Sequence, residues 1–194
     1  MRLHVVRHGR TASNAAGRLY ATEDEPILAE HAAVLSALVF DAGRFAAIYA
    51  SPAQRCIDTA RGLGLAVWRE EPRLAERRFG ILGGLTLEEC RVRHSEAFAA
   101  FVRLDADFAP PQGESRAEHL ARLSQWLCEV SAAHPPGSEI LAVCHGGVVD
   151  FLYRMSGAAP LHGGESFFAA DNLSVSIFDV EWPQVRLVAF SQPL

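Results

Sequence analysis

Two histidines in this 194-residue chain stand where an apolar run ends and a glycine begins. One closes Leu3-His4-Val5-Val6-Arg7-His8-Gly9; the other closes Glu139-Ile140-Leu141-Ala142-Val143-Cys144-His145-Gly146-Gly147. A histidine beside an arginine can attack phosphorus. The guanidinium neutralises phosphate oxygens in bidentate fashion, while burial and the neighbouring cation favour the neutral, nucleophilic imidazole. Arg55, in Ser51-Pro52-Ala53-Gln54-Arg55, adds a second guanidinium in the first turn of a helix, where free backbone N–H groups also attract anions. Glu76, in Leu74-Ala75-Glu76-Arg77-Arg78-Phe79-Gly80, supplies a carboxyl group within an arginine-rich loop. Thr11 and Asn14 bring a hydroxyl and an amide suited equally to capping a short helix and to touching a phosphate. Each of these groups alone also has an ordinary reading, His145 as a hydrogen-bonded strand-end residue and Glu76 as a solvated loop carboxylate, so only the set can decide.

The elements that must position them follow from periodicity and punctuation. Residues 3–7, 45–50, 65–68 and 139–144 read as buried strands, and apolar spacing predicts helices over 27–40 (Leu28, Ala32, Leu35, Leu38, Val39), 53–60, 86–104, 116–133 and 148–155. Thr86 with Glu89 forms a capping box, and Leu120, Leu123, Trp126, Leu127 and Val130 form the core stripe of the helix over 116–133. Residues 173–180 and 185–190 read as a hairpin or as edge strands. In a parallel sheet two strand-His-Gly tips face one crevice at the carboxyl ends of the strands, with Cys144 on the opposite side by alternation. The segment 85–111, ended by Asp105 to Pro111, reads as a small helical lid.

Composition bounds the partners. Eighteen basic residues against 23 acidic give a net charge of −5 with no basic run, which argues against nucleic acid. All the basic residues are arginine, so the lysine of a P-loop and lysine Schiff-base chemistry are excluded. The four cysteines, Cys56, Cys90, Cys128 and Cys144, form no C-x-x-C pair and read as reduced thiols; with no leader pattern and no membrane-spanning run, the expected location is cytoplasmic. His4, His31, His94, His119, His134 and His162 fit no metal-ligand pattern. One domain over 1–194 is expected.

Arg7-His8-Gly9 with Thr11 and Asn14, Ser51-Pro52 with Arg55 and Thr59-Ala60, Leu74-Ala75-Glu76 with Phe79-Gly80, and Cys144-His145-Gly146-Gly147 occur in an order and at spacings that resemble the histidine phosphatase, or phosphoglycerate mutase-like, superfamily over nearly the whole chain. The resemblance implies a three-layer α/β/α sandwich with a mostly parallel sheet. It also implies His8 as nucleophile, Arg7 and Arg55 as phosphate clamp, His145 as a further phosphate contact and Glu76 as proton donor, with Arg10, Thr11, Asn14 and Gly146 near the substrate. Arg18, Tyr20, Arg78, Glu114 and Ser115 are candidates for the rim. The implied activity is hydrolysis of a small phosphate monoester, of the alpha-ribazole phosphatase or broad-specificity type, by a monomer or homodimer without metal or other cofactor. A phosphoglycerate mutase and a non-catalytic phospho-ligand binding module are the alternatives. Ala21 and Glu30-His31 stand where members of the family often have glycine, and Gly83-Gly84 stands where its phosphatases often have Glu-Gly. Glu76-Arg77-Arg78-Phe79-Gly80 is close to the mutase form, but the stretch from Gly80 to Gly113 is short for a mutase's substrate-binding insertion and holds no lysine, which favours a phosphatase.

Overall fold

The computed structural model describes residues 1–20, 22–161 and 170–194; Ala21 and residues 162–169, His162 among them, lie outside the described residues. The chain runs β1 (Arg2–Arg7), α1 (Ala12–Ala15), α2 (Ala29–Ala37), β2 (Ala47–Ala50), α3 (Gln54–Gly62), β3 (Arg69–Glu70), α4 (Leu87–Arg93), α5 (Ser95–Val102), α6 (Arg116–Ala133), β4 (Glu139–Cys144), α7 (Gly146–Met155), β5 (Ser174–Glu181) and β6 (Gln184–Pro193). The strands form one sheet in the order β3-β2-β4-β1-β5-β6. The first four are mutually parallel, and β5 turns antiparallel to β1 to start the closing hairpin with β6.

Side-chain alternation divides the core into two layers. Leu3, Val5, Ile140, Ala142 and Cys144 pack with Leu123, Trp126, Leu127, Val130 and Val148 of α6 and α7. Val6, Leu141 and Val143 pack on the other face with Leu35 of α2 and Cys56 and Ala60 of α3. This is the expected α/β/α arrangement, with Cys144 turned to the α6–α7 side. Among the described residues no helix is long and apolar enough to cross a membrane.

Three expectations need correction. Helix α2 spans nine residues, and Leu35 alone is buried in it; Val39 lies past its end, fully exposed. One leucine suffices because α3 presents Gly62, where an added Cβ would sit 2.9 Å from the Leu35 side chain. The third strand is Arg69–Glu70 rather than 65–68: Leu65 is buried but Val67 is exposed, and an edge strand needs only backbone pairing, here with Tyr49 and Ala50. The single helix over 86–104 is broken at His94, whose φ of −140° leaves the helical range. Nothing between Cys90 and Ala100 is buried, so no packed side chain holds a continuous register there. The Thr86–Glu89 capping box is present, and α4 and α5 close a small cluster of their own around Leu82, Cys90 and Phe101.

Gly80 fixes how this cluster meets the loop that carries Glu76. Its φ is +53°, and a Cβ there would stand 2.1 Å from the Pro111 carbonyl oxygen and 2.6 Å from the Gly113 nitrogen. Gly64 has a φ of +70° with nothing within 4 Å. Gly64→Ala therefore costs about 1–2 kcal/mol through backbone conformation alone. Gly80→Ala costs measurably more because a backbone clash is added. Urea midpoints of the two variants compare them directly, and equal losses would mean the 80–113 contact is not tight.

Candidate active site

Strands β1 and β4 pair with Arg7 opposite Cys144, and one step further the His8 N–H donates to the Cys144 carbonyl at 2.9 Å. The next residues, His8 and His145, consequently emerge side by side at the carboxyl ends of the strands, with ring centroids 5.2 Å apart. His8 is buried, and its Nδ1 lies 2.7 Å from the Gly9 carbonyl oxygen. A carbonyl only accepts, so the ring proton belongs on Nδ1 and the lone pair on Nε2. Burial, then the charges of Arg55 and Arg7, hold the His8 pKa well below the ordinary 6.5 despite the opposing bond to Gly9. Thr59 Oγ1 accepts from Gly9 N at 2.9 Å, and Asn172 donates to the His8 carbonyl at 3.0 Å, so the turn is tied on both sides.

Arg55 enters from the first turn of α3, almost fully buried, with its guanidinium 4.6 Å above the Tyr20 ring. Its Nε donates to His145 Nδ1 at 3.3 Å, and His145 Nε2 lies 2.8 Å from Ser51 Oγ. With Arg55 donating, His145 is the Nε2–H tautomer and its ring is spent on protein partners. Its observed contacts orient Arg55, and burial drives its pKa well below 6.5 as well. Arg7 donates to the Ala170 carbonyl. Among the described residues Arg7 Nε and Arg55 Nη2 are buried without a hydrogen-bond partner, Nη2 standing 3.8 Å from Glu23 Oε2, so two guanidinium N–H donors are open to an anion at this corner.

Glu76 sits across from them against the N-terminus of α7. Its Oε2 accepts from Gly147 N at 2.9 Å and its Oε1 from Arg77 N at 2.9 Å. A Cβ on Gly147 would stand 2.0 Å from Oε1, so only glycine lets the carboxyl group approach the helix end. The loop is clamped from α6: Arg122 donates to the carbonyls of Arg73 at 2.6 Å and Glu76 at 3.3 Å, while Glu114 grips the same guanidinium at 2.8 and 3.0 Å. Tyr20 donates to the Glu76 carbonyl at 3.2 Å.

These groups line one cavity of about 280 Å³, which takes in Arg7, His8, Thr11, Asn14, Arg55, Glu76, His145 and Gly146. Thr11 and Asn14 form a reciprocal cap on α1, each side chain bonding the other's backbone at 3.2 Å. Arg10, expected near the substrate, is exposed and does not line the cavity; of the rim candidates Arg18 and Tyr20 line it and Arg78 does not. Glu114 is engaged by Arg122, and Ser115 caps α6 through Glu118. From 85–111 only Leu87 reaches the wall. Arg77, Arg116, His119, Asp150 and Phe151 also line it, none of them singled out from sequence. Arg116 and His119 lie on the buried stripe of α6 with Leu123, Trp126, Leu127 and Val130; a cation and an imidazole on a core-facing stripe are the signal that marks them.

Comparison with known proteins bears on the family of the chain. A sequence model described as the histidine phosphatase superfamily (branch 1) matches residues 3–193. The chain is 30% identical over 186 residues to a metal-independent phosphoserine phosphatase of Arabidopsis thaliana, covering 92% of this chain and 77% of that protein. It is 32% identical over 163 residues to a glucosyl-3-phosphoglycerate phosphatase of Mycobacterium tuberculosis, covering 78% and 73%. Among solved structures, Bacillus stearothermophilus YhfR superposes with a TM-score of 0.83 at 26% identity, over 100% of this chain and 98% of that one.

Three buried histidines, His8, His119 and His145, have pKa values held well below 6.5, in each case first by burial. The unfolded chain takes up protons on these groups near pH 6.5 while the folded chain does not, so stability is lost as pH falls through that value. The slope is at most about 1.4 kcal/mol per pH unit for each histidine. Urea unfolding at pH 7.5, 6.5 and 5.5 checks this: the free energy is expected to fall by about 1 kcal/mol over the first step and by about 3 kcal/mol over the second, three histidines together. A free energy that rises on acidification would contradict neutral burial.

Proposed function

The chain belongs to the histidine phosphatase superfamily (branch 1), and from that premise we propose that it hydrolyses small phosphate monoesters through a phosphohistidine on His8. The observation that carries the reading is the unprotonated Nε2 of a buried, neutral His8 beside two guanidiniums with free N–H donors. Nε2 forms a bond to phosphorus as the ester P–O bond breaks, and Glu76 gives its proton to the departing alkoxide. Water then attacks phosphorus on the phosphohistidine, Glu76 takes the water's proton, and the P–N electron pair returns to Nε2. Phosphoryl transfer asks mainly for positioning and for stabilisation of charge on the equatorial oxygens. Arg7 and Arg55 meet that demand, and His145 acts first by orienting Arg55. Residues 85–111 cover the mouth in this reading, with Leu87 as their contribution to the wall. The acceptor of the phosphoryl group separates hydrolase from mutase, and release of phosphate without interconversion of phosphoglycerates is the expected result.

His8→Ala is expected to abolish turnover and acid-labile labelling. Glu76→Gln is expected to behave differently. An amide cannot protonate an alkoxide, so alkyl phosphates should lose at least about a hundredfold in rate, the lower range for general acid–base catalysis. An aryl phosphate, whose phenolate leaves unaided, should still label His8. Rapid mixing of each variant with aryl and alkyl phosphates reads both effects, and equal losses for the two esters would remove Glu76 from the proton-donor role.

A further inference from the structure

Beyond the corner where His8 stands, the cavity is lined by cations for which phosphoryl transfer has no evident use. Arg77 is 5% exposed, and its guanidinium lies over Phe101 at 5.0 Å and Phe79 at 5.6 Å. Among the described residues no carboxylate or carbonyl oxygen accepts from its side chain. Arg116, 4% exposed and 4.7 Å above the Phe151 ring, has Nε and Nη2 buried without a hydrogen-bond partner among the described residues. Among those residues its ion-pair contact is Asp150, at 3.7 Å from Nη2. That carboxylate already accepts from Arg154 Nε at 3.0 Å on both oxygens. Asp150 is thus hydrogen-bonded to one guanidinium and lies 3.7 Å from a second, while Arg77 is reached by Glu76, Glu114 and Asp150 through charge alone, with none of them accepting a hydrogen bond from its side chain.

Burying a cation without a partner costs several kcal/mol, and leaving its N–H groups unmade adds to the cost. The two arginines also oppose each other: burial and then the charge of Arg116 lower the Arg77 pKa to about 10. Such an arrangement is relieved when an anion enters. Both guanidiniums lie over aromatic rings, a cation–π contact that helps hold them in place before any ligand arrives.

We propose that Arg77 and Arg116 form a second anion subsite, so that the substrate is a small phosphate monoester carrying another acidic group, a carboxylate or a second phosphoryl, on the same molecule. This rests on the reading of His8 as the phosphoryl-accepting residue, which places the first phosphate between Arg7 and Arg55. The neighbouring subsite then selects among monoesters by charge, with Asp150 keeping Arg116 in place and the apolar wall of Phe79, Leu87 and Phe151 limiting size.

The test compares matched esters on the unmodified protein. 3-Phosphoglycerate and glycerol 3-phosphate differ by a carboxylate in place of a hydroxymethyl group, and glycerol 1,3-bisphosphate supplies a phosphoryl group instead. At least one of the two esters with a second anionic group is expected to exceed glycerol 3-phosphate at least tenfold in kcat/KM, and which one does so identifies that group. The advantage should shrink with added salt. Arg77→Gln and Arg116→Gln are each expected to reduce that ratio at least fivefold, and Arg77→Lys to retain part of it. If a variant does not fold, the ratios of the unmodified protein still decide. Phosphate released from all three esters with ratios near one overturns the subsite and leaves the His8 reading standing. If no ester is hydrolysed, the His8 reading falls and calorimetric affinities for the same three ligands judge the subsite. Tenfold tighter binding of a ligand with the second anion supports it, and equal affinities overturn it.

Discussion

The pairing of β1 with β4 is the constraint on which the site depends. Because Arg7 stands opposite Cys144, the two strand-end histidines arrive together, and a slip of one residue would send one of them to the opposite face of the sheet. The hydrogen bond from His8 N to the Cys144 carbonyl carries that register past the last paired residue. From there the consequences are local. His8 Nδ1 is turned onto the Gly9 carbonyl, His145 receives Arg55, and the cation between Tyr20 and the imidazoles is held where a phosphate oxygen can meet it.

The acid side of the chemistry depends on a separate support. Glu76 lies in a loop whose position is set by Arg122 and Glu114 from the N-terminal part of α6 and the turn before it, and by the glycine contact between Gly80 and Pro111–Gly113. A half-buried arginine bound to two carbonyls and a carboxylate makes charge-assisted bonds, stronger than neutral ones and directional. His8 and Glu76 therefore belong to different parts of the fold, joined where α7 begins: Gly146 lies against Arg7 and Gly147 against Glu76.

What was legible in the sequence was local or periodic. β1, β4 and α6 lie where apolar runs and caps put them, and the residues around His8 were singled out by the ordered set of motifs and the family it resembles. Edge strand β3 escaped because its pairing is made by the backbone of Arg69 and Glu70, which no apolar pattern announces. The break at His94 escaped because Thr86 to Leu104 keeps helical composition while burying nothing at its middle. Arg77, Arg116, His119 and Asp150 could not be assembled from spacing, since a loop, the start of α6 and the start of α7 meet only through tertiary packing. Glu114, a rim candidate by position, is instead committed to Arg122.

The account turns on which ring nitrogen of His8 is free. Acid-labile phosphoenzyme trapped within milliseconds of mixing with an aryl phosphate, then digested and resolved by phosphorus NMR, reports the atom that carries phosphorus. With Nδ1 bonded to the Gly9 carbonyl, the label is expected on Nε2 of His8 and nowhere else. Phosphorus on Nδ1, or on His145, would contradict the hydrogen-bonding scheme from which the rest of the site is derived.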